Sequence, residues 1–407
     1  MYDVIVVGGG AAGMMAAGTA AALGKSTLLI EKMPRTGRKI LVTGKGRCNV
    51  TNNCDCDTVL KNVVSNPKFL YSALRNFSPE DTMNFFENLG VALKTERGNR
   101  VFPVSDKSMD IADALFLYCA QNGVKVLTDT VTDLIASENE IRGVKTACGK
   151  EHSAAAVIVA TGGVSYPKTG STGDGFKFAQ NAGHTIIPLR ASLVGLKIRG
   201  NECKDMQGLS LKNTGLSLYC RSNGKCVYTD MGEMLFTHFG ISGPIVLSAS
   251  AHITDNPQNY YVELDLKPAL SMEKLDERIS RDFSEVLNKD FSNSLNKLLP
   301  KAIIPSVIER SQIEPNKKVN QITKVQRNTL CQVIKKMRFE VAGREAIETA
   351  IVTAGGVSTQ EINPKTMESK FVKGLYFAGE MIDVDACTGG FNLQIAFSTG
   401  YTAGINA

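Results

Sequence analysis

The clearest chemical pattern in the 407-residue chain is Gly8-Gly9-Gly10-Ala11-Ala12-Gly13, which follows at once on the apolar run Asp3-Val-Ile-Val-Val7. This is G-x-G-x-x-G at the end of a short buried strand. Gly8 permits a tight turn, Gly10 lets the backbone approach a pyrophosphate, and Gly13 lets a helix pack closely on the strand. Ala11 and Ala12 then supply backbone N–H groups at the helix start, where the positive end of the helix dipole meets phosphate. Ala16, Ala20 and Gly24 continue from Gly13 as a stripe of small residues suited to close packing against a sheet. Thr27-Leu-Leu-Ile30 reads as a second strand, and Glu31 ends it, placed to accept hydrogen bonds from ribose hydroxyls. Strand, glycines, small-residue helix, strand and acid in this order mark a dinucleotide fold. A ribose-binding carboxylate disfavours a 2′-phosphate and does not separate FAD from NAD.

A basic, glycine-rich stretch comes next. No acid occurs between Lys32 and Asn53, while Lys32, Arg38, Lys39 and Arg47 lie among Gly37, Gly44 and Gly46. The run Arg38–Asn52, with Gly46, Arg47, Cys48 and Asn49, is too glycine-rich for a helix and is read as a loop wrapped near the phosphates. Its position directly after Glu31 favours that reading over a plain solvated loop. Two later segments add to the site. Ala155–Ala160 is a buried strand that ends in Thr161-Gly162-Gly163, and Gly374–Glu380 is a strand that ends in Gly379-Glu380. Asp383 follows, and Gly389-Gly390-Phe391-Asn392-Leu393-Gln394 opens a small-residue helix.

Acid–base and nucleophilic candidates are few. His238 is the best by type, since an imidazole titrates near neutrality, and a structural histidine at a domain junction is an equal reading. Cys387 sits beside the Gly389-Gly390 turn, and Cys48 lies in the basic loop. Neither has a CxxC partner, so a buried inert thiol is the better reading of each. No HExxH, zinc-type cysteine pairing or Ser-His-Asp motif is present, and no metal site is expected.

These residues need elements to position them. Apolar residues make up 43% and charged residues 21%, ordinary globular values that exclude disorder and coiled coil. The net charge of +6 is too mild to drive nucleic-acid binding unless clustered. Lys317, Lys318, Lys324, Arg327, Lys335, Lys336 and Arg338 do cluster, but no aromatic interleaving supports base stacking, and a solvated helix face is the favoured reading. Residues 4–24 carry no charge, yet six of them are Gly at positions the dinucleotide turn explains, and no basic segment precedes them. Neither a membrane span nor a signal peptide is expected, and ten cysteines without a disulfide pattern suit a reducing cytoplasm. The two nucleotide signatures lie at opposite ends of the chain, so an insertion must separate them. Val262–Lys267 alternates as a half-buried strand, with Leu216 and Leu218 alike, and Leu275, Ile279, Phe283 and Val286 recur at helical spacing. The expected division is 1–190, an insertion at 191–345 (β portion 191–267, helical portion 268–337), and 346–407.

The stretch 38–52, with 160–183, 234–248, 351–370 and 375–400, resembles a bacterial flavoprotein family described as NAD(P)/FAD-dependent oxidoreductases, which includes aminoacetone-oxidase-like and bile-acid-inducible-reductase members. The likeness runs over nearly the whole chain. A more distant one is to fumarate reductase flavoproteins, carried by Thr172-Gly-Asp-Gly175. The resemblance implies an α/β fold (α+β overall): a Rossmann-like, three-layer FAD-binding domain with an inserted β-barrel-like plus helical domain. It implies that Ala160-Thr161-Gly162 returns beside the nucleotide and that Val131 offers a backbone contact to adenine. It further implies that Gly379-Glu380 reaches the ribitol or pyrophosphate, although the usual acid is Asp, and that the 389–394 helix start points at the flavin pyrimidine. The implied cofactor is FAD, with NAD(P)H as a candidate electron donor. The leading expectation is a bacterial oxidoreductase passing a hydride through the flavin to a small organic substrate. An oxidase of a small amine yielding hydrogen peroxide is the alternative, and an RNA- or protein-binding flavin module is a third reading.

Overall fold

The computed structural model describes residues 1–407 and divides them into two units: Met1–Ser192 with Ala346–Ala407, and Leu193–Glu345. In the first unit, strand β1 (Tyr2–Val7) is central. Its run of Val4, Ile5, Val6 and Val7 is buried on both faces, as a parallel strand between two helical layers requires. Helix α1 (Ala11–Ala22) leads to β2 (Thr27–Glu31), which pairs parallel with β1. Gly24 lies beyond the helix: its φ of +84° and the bond from Lys25 N–H to Ala20 O mark a C-terminal cap, not part of the packing stripe. The basic loop also departs from expectation, since Arg38–Val42 forms one short helical turn before Gly44 and Lys45 turn left-handed. Only four residues separate Gly37 from Val42, and none is glycine, so the glycines bracket the turn instead of breaking it.

After helix α2 (Ser108–Gln121), strand β3 (Lys125–Thr128) joins the sheet parallel to β2. A meander follows: β4 (Val131–Ser137), β5 (Glu140–Thr146) and the long β6 (Glu151–Val159). The far edge of β6 is shared. Its first half pairs antiparallel with β5, and its second half is left for a later strand. Helix α3 (Asp174–Asn181) starts at Gly173, as the Thr172–Gly175 signature predicts.

The second unit is a closed six-stranded barrel with a helical portion. Its strands are β7 (Leu196–Ile198), β8 (Ser210–Cys220), β9 (Cys226–Thr237), β10 (Gly240–Ser242), β11 (Tyr260–Asp265) and, after helices α4 (Met272–Ser284) and α5 (Lys324–Lys335), β12 (Met337–Arg344). Strand β12 closes the barrel by pairing with both β7 and β11. The insertion is therefore not a β portion followed by a helical one: the helices interrupt the barrel. Leu275, Ile279 and Phe283 line the buried side of α4, while Val286 lies past its end.

The chain then re-enters the first unit. Strand β13 (Leu375–Phe377) pairs parallel with Val157–Val159 of β6, completing a seven-stranded sheet. Helix α6 (Phe391–Asn406) packs against α1 through glycine: a Cβ on Gly400 would lie 2.4 Å from Ala12 O, and one on Gly404 2.6 Å from Ala16 O. The small residues of α1 thus serve a helix as well as the sheet, because α1 is buried on nearly every side. No helix of the chain is long and apolar enough to cross a membrane.

Candidate functional site

The glycine fingerprint adopts the geometry its spacing requires. Gly8 has a φ of +101°, and a Cβ there would lie 2.7 Å from Ala160 O. A Cβ on Gly13 would lie 1.8 Å from Gly8 O, so only glycine lets α1 start this close to β1. Gly10 differs: a Cβ there meets nothing within 4 Å. It faces open space at the mouth of α1, where the first helical bond is Met14 N–H to Gly10 O at 2.9 Å, so the N–H groups of Ala11, Ala12 and Gly13 precede the ladder. Glu31 accepts from Gly9 N–H at 2.6 Å and Met33 N–H at 2.7 Å, which fixes its carboxylate at the end of β2 and leaves acceptor capacity for a ribose. Val131 begins β4 close by, since Asp129 N–H bonds Glu31 O at 3.1 Å.

The basic loop divides its cations. Lys32 pairs with Asp174 at 2.5 Å and bonds Thr172. Lys39 pairs with Glu380 at 2.6 Å. Arg47 is tied to Glu96 and Asp106 and lies 4.3 Å over the Phe102 ring. Those two acids supply its counter-charge in this structure. Arg38 alone of the four is half-buried with no ion pair or hydrogen bond, and it remains for an anion. Gly46, with φ of +86° and open space at its Cβ, permits the loop's turn. Burial pushes the Cys48 thiol up to about 12, so it is inert as a nucleophile.

The far end of this loop is stitched to the start of α6. Asn49, with its amide oriented to suit its neighbours, accepts from Gly390 N–H at 3.0 Å. Asn52 donates to Gly389 O at 3.0 Å. Gly390 sits so close that a Cβ would lie 2.3 Å from Thr51 O. Gln394 is fully buried and closed: it accepts from Thr51 at 2.6 Å and Thr82 at 2.8 Å, and donates to Phe77 O and Ser398 at 3.0 Å each. All its valences are filled within the protein, and it holds the start of α6 in place. Asn392 likewise turns back, accepting from Ala386 N–H at 3.0 Å and donating to Ala386 O at 2.8 Å. Leu393 completes the first helical turn, whose N–H groups have no helical partner.

Glu380 is likewise engaged within the protein. Its carboxylate accepts from Thr353 N–H and Ser165 Oγ, both at 2.9 Å, besides Lys39. Burial pushes this carboxyl up, but the Lys39 charge and the three donors outweigh it and hold it below the ordinary range. The carboxylate ties together Lys39, Ser165 and Thr353, which come from three distant segments. Gly379 packs on α1, where a Cβ would meet Ala12 Cβ at 2.8 Å. Thr161 Oγ1 is buried and has no partner, and Gly162 turns with φ of +74°.

Sequence reasoning missed a second network. Asp385 is fully buried and accepts from Ser65 Oγ at 2.6 Å and Ser192 Oγ at 2.7 Å, with the Arg190 guanidinium at 3.7 Å. Asn66, in the left-handed region, donates to Asp383 O at 2.7 Å and to its carboxylate at 2.9 Å. Burial holds the Asp383 carboxyl above its ordinary range; the Asn66 bond opposes this and the Asp385 charge adds to it. An acid in an otherwise apolar run, as Asp385 is, was the available signal. Cys387 is buried, its N–H bonded to Asn62 O at 2.9 Å. His238 falls in the second unit, exposed in the turn between β9 and β10 and 5.1 Å from the Phe239 ring.

A family model described as the HI0933-like protein Rossmann domain matches residues 2–406. The chain belongs to the HI0933-like family. Three relatives match nearly end to end, two of them named as ribosomal RNA dihydrouridine synthases. The 3-dehydro-bile acid delta(4,6)-reductase of Clostridium scindens is 31% identical, covering 99% of this chain and 98% of its own. The ribosomal RNA dihydrouridine synthase of Haemophilus influenzae is 33% identical, covering 99% and 97%. The structure of 3-ketosteroid delta1-dehydrogenase from Sterolibacterium denitrificans superposes with a TM-score of 0.51 at 15% identity, covering 99% of this chain and 98% of that one, and shows the shared fold. Membership bears out the flavoprotein resemblance and places the chain among Rossmann-type FAD-dependent oxidoreductases. The residues fit the cofactor: open space at Gly10, free N–H groups at α1, an unpaired Arg38 and the orphaned Thr161 hydroxyl are what an FAD-binding HI0933-like chain needs.

Proposed function

We propose that this protein is an FAD-dependent reductase that uses NAD(P)H to saturate a carbon–carbon double bond conjugated to a carbonyl in a small organic molecule. The observation that carries this reading is the chemistry for which the full-length relatives are named. One is named for reducing the delta-4,6 system of a bile acid, and two for making dihydrouridine, which is uridine with two hydrogens added. Both names describe one chemistry on different scaffolds. Bound FAD supplies the means to take a hydride from the donor and pass it to an electron-poor carbon.

The chain's own groups do the rest. Gly8, Gly10 and the N–H groups of Ala11 and Ala12 hold the pyrophosphate, with Arg38 as the counter-cation. Glu31 holds the adenosine ribose. Asn49 and Asn52 orient the Gly389-Gly390 turn so that the first N–H groups of α6 face the flavin pyrimidine and stabilise negative charge there.

A ribosomal RNA substrate is the second reading, favoured by the 33% relative. The basic stretch at 317–338 gives it less support than its charge suggests, because four of its seven cations are paired in place: Lys318 with Asp290, Arg327 with Asp276, Lys335 with Asp265 and Arg338 with Glu340. The test is anaerobic spectroscopy of the FAD-loaded protein. NADH or NADPH is expected to bleach the flavin, and a conjugated steroid ketone to restore it. Restoration by an rRNA transcript alone would move the substrate to RNA. Flavin that ignores both nucleotides but is reduced by a small amine, with peroxide formed in air, would make the protein an oxidase.

A further inference from the structure

The barrel unit contains a cavity of about 230 Å³, and nothing in the reductase reading uses it. It lies where the start of β8 and the end of β11 meet the turn Leu299–Ile303 of the helical portion. The pairing of β8 with β9 shifts register between Leu211 and Thr214, so Lys212 and Asn213 form a bulge in the cavity wall. Bulges of this kind re-aim side chains and recur beside binding sites. The lining has two characters. Leu211, Leu266, Leu299 and Ile303 make it apolar; Lys212 and Lys267 make it cationic.

The cations are uncompensated. Lys267 is half-buried, and neither it nor Lys212 has an ion pair or a side-chain hydrogen bond. Glu233, across from the bulge, holds the Ser210 hydroxyl at 3.3 Å, and two further acids are already paired. Asp265 is paired with Lys335 at 2.5 Å and accepts the Lys267 backbone N–H at 2.9 Å. Asp282 is held by both oxygens on Arg278, at 2.8 and 2.9 Å. Burial, and then repulsion from Arg278, hold the Lys267 ammonium below its ordinary range. A cation half removed from water with no counter-charge is relieved by an incoming anion.

We propose that this cavity binds a small organic carboxylate with an apolar body, the carboxylate on Lys267 and Lys212 and the body against the leucine wall. At about 30 Å³ per water, the volume equals roughly eight waters, which admits a short aliphatic or aromatic acid. A divalent cation is excluded by the sign of the field. Inorganic phosphate would satisfy the lysines but leave the apolar wall wet.

The test is calorimetry on the full FAD-loaded chain with hexanoate, hexanol and inorganic phosphate. Hexanoate is expected to bind at least tenfold more tightly than either. Lys267→Gln should weaken hexanoate about tenfold (about 1.4 kcal/mol) and leave hexanol unchanged. Leu299→Trp, which fills the cavity, should abolish both. On the unmodified protein, hexanoate should slow reductive methylation of Lys267, read by mass spectrometry, so the proposal does not depend on any variant folding. Equal binding of hexanoate and hexanol, phosphate binding as tightly as hexanoate, or unprotected Lys267 would each overturn it. Failure here leaves the reductase reading untouched, since flavin bleaching by NAD(P)H tests that separately.

Discussion

Two glycine-bearing turns meet at one edge of the first unit's sheet and treat their hydrogen bonds in opposite ways. At Gly8–Gly13 the side chains are absent and the N–H groups at the mouth of α1 are open. At Gly379–Gln394 the polar side chains are plentiful and nearly all closed on one another: Glu380 on Lys39, Ser165 and Thr353, Asn392 on Ala386, Gln394 on Thr51, Thr82 and Phe77. The first turn binds by leaving backbone donors unmet. The second holds a helix start in place by meeting every buried side-chain need internally, because a buried polar group left unpaired is costly with or without ligand. A residue of ligand-binding type therefore becomes a ligand only where the fold has left its valences open.

The contrast can be broken at several points. Gly13→Ala should have the largest effect. Its Cβ would run into backbone at Gly8, and a loss of about 3 kcal/mol or more is expected by denaturant unfolding. Gly10→Ala should leave stability within about 0.5 kcal/mol and weaken FAD about a hundredfold, or about 2.7 kcal/mol, measured by flavin fluorescence titration. If Gly10→Ala unfolds the protein instead, the open space at Gly10 is not a ligand site. Gln394→Leu should show the reverse pattern: about 2 kcal/mol less stable, with FAD affinity of the folded protein little changed. A selective loss of FAD affinity would make Gln394 a ligand after all.

Glu380→Gln sharpens the comparison through pH. The folded carboxyl is held below its unfolded value, so its contribution is present above the ordinary carboxylate pKa of about 4.3 and fades as pH falls through the folded value. The melting-temperature gap between wild type and variant should be widest near neutrality and should close in acid. A gap that does not depend on pH would remove the charge from the account. The smallest effect separates two arginines. Arg38→Ala should weaken FAD about tenfold (about 1.4 kcal/mol), while Arg47→Ala changes it less than about twofold, which at about 0.4 kcal/mol is within the usual range for surface substitutions. The opposite order would make Arg47 the phosphate partner.

How much of this was legible in the sequence depended on how local the cause is. The strand–glycine–helix–strand–acid order of residues 3–31 reads directly, because each step follows from its neighbours. The buried strand at Ala155–Ala160 reads from its apolar run. Strand β12 was not legible as the barrel's closure: its partners Leu196–Ile198 and Tyr261–Leu264 lie across two helices, and pairing over that distance leaves no local mark. The types of the site residues were legible, and their partners were not. Arg47 and Gln394 have the chemistry of ligands, and Glu96 with Asp106, and Thr51 with Thr82, engage them within the protein. Asp385, Ser65 and Ser192 come from three distant segments, and only the folded chain shows that they share a proton-accepting centre.

The contact of Gly400 and Gly404 with Ala12 and Ala16 sets a timetable for biosynthesis. A ribosome adding about 5–20 residues per second needs roughly 20–80 s to travel between these partners. Throughout that interval the flank of α1 that α6 will cover stays bare, and the entire barrel emerges in between. Until α6 emerges, the growing chain carries that small-residue flank uncovered past the whole barrel.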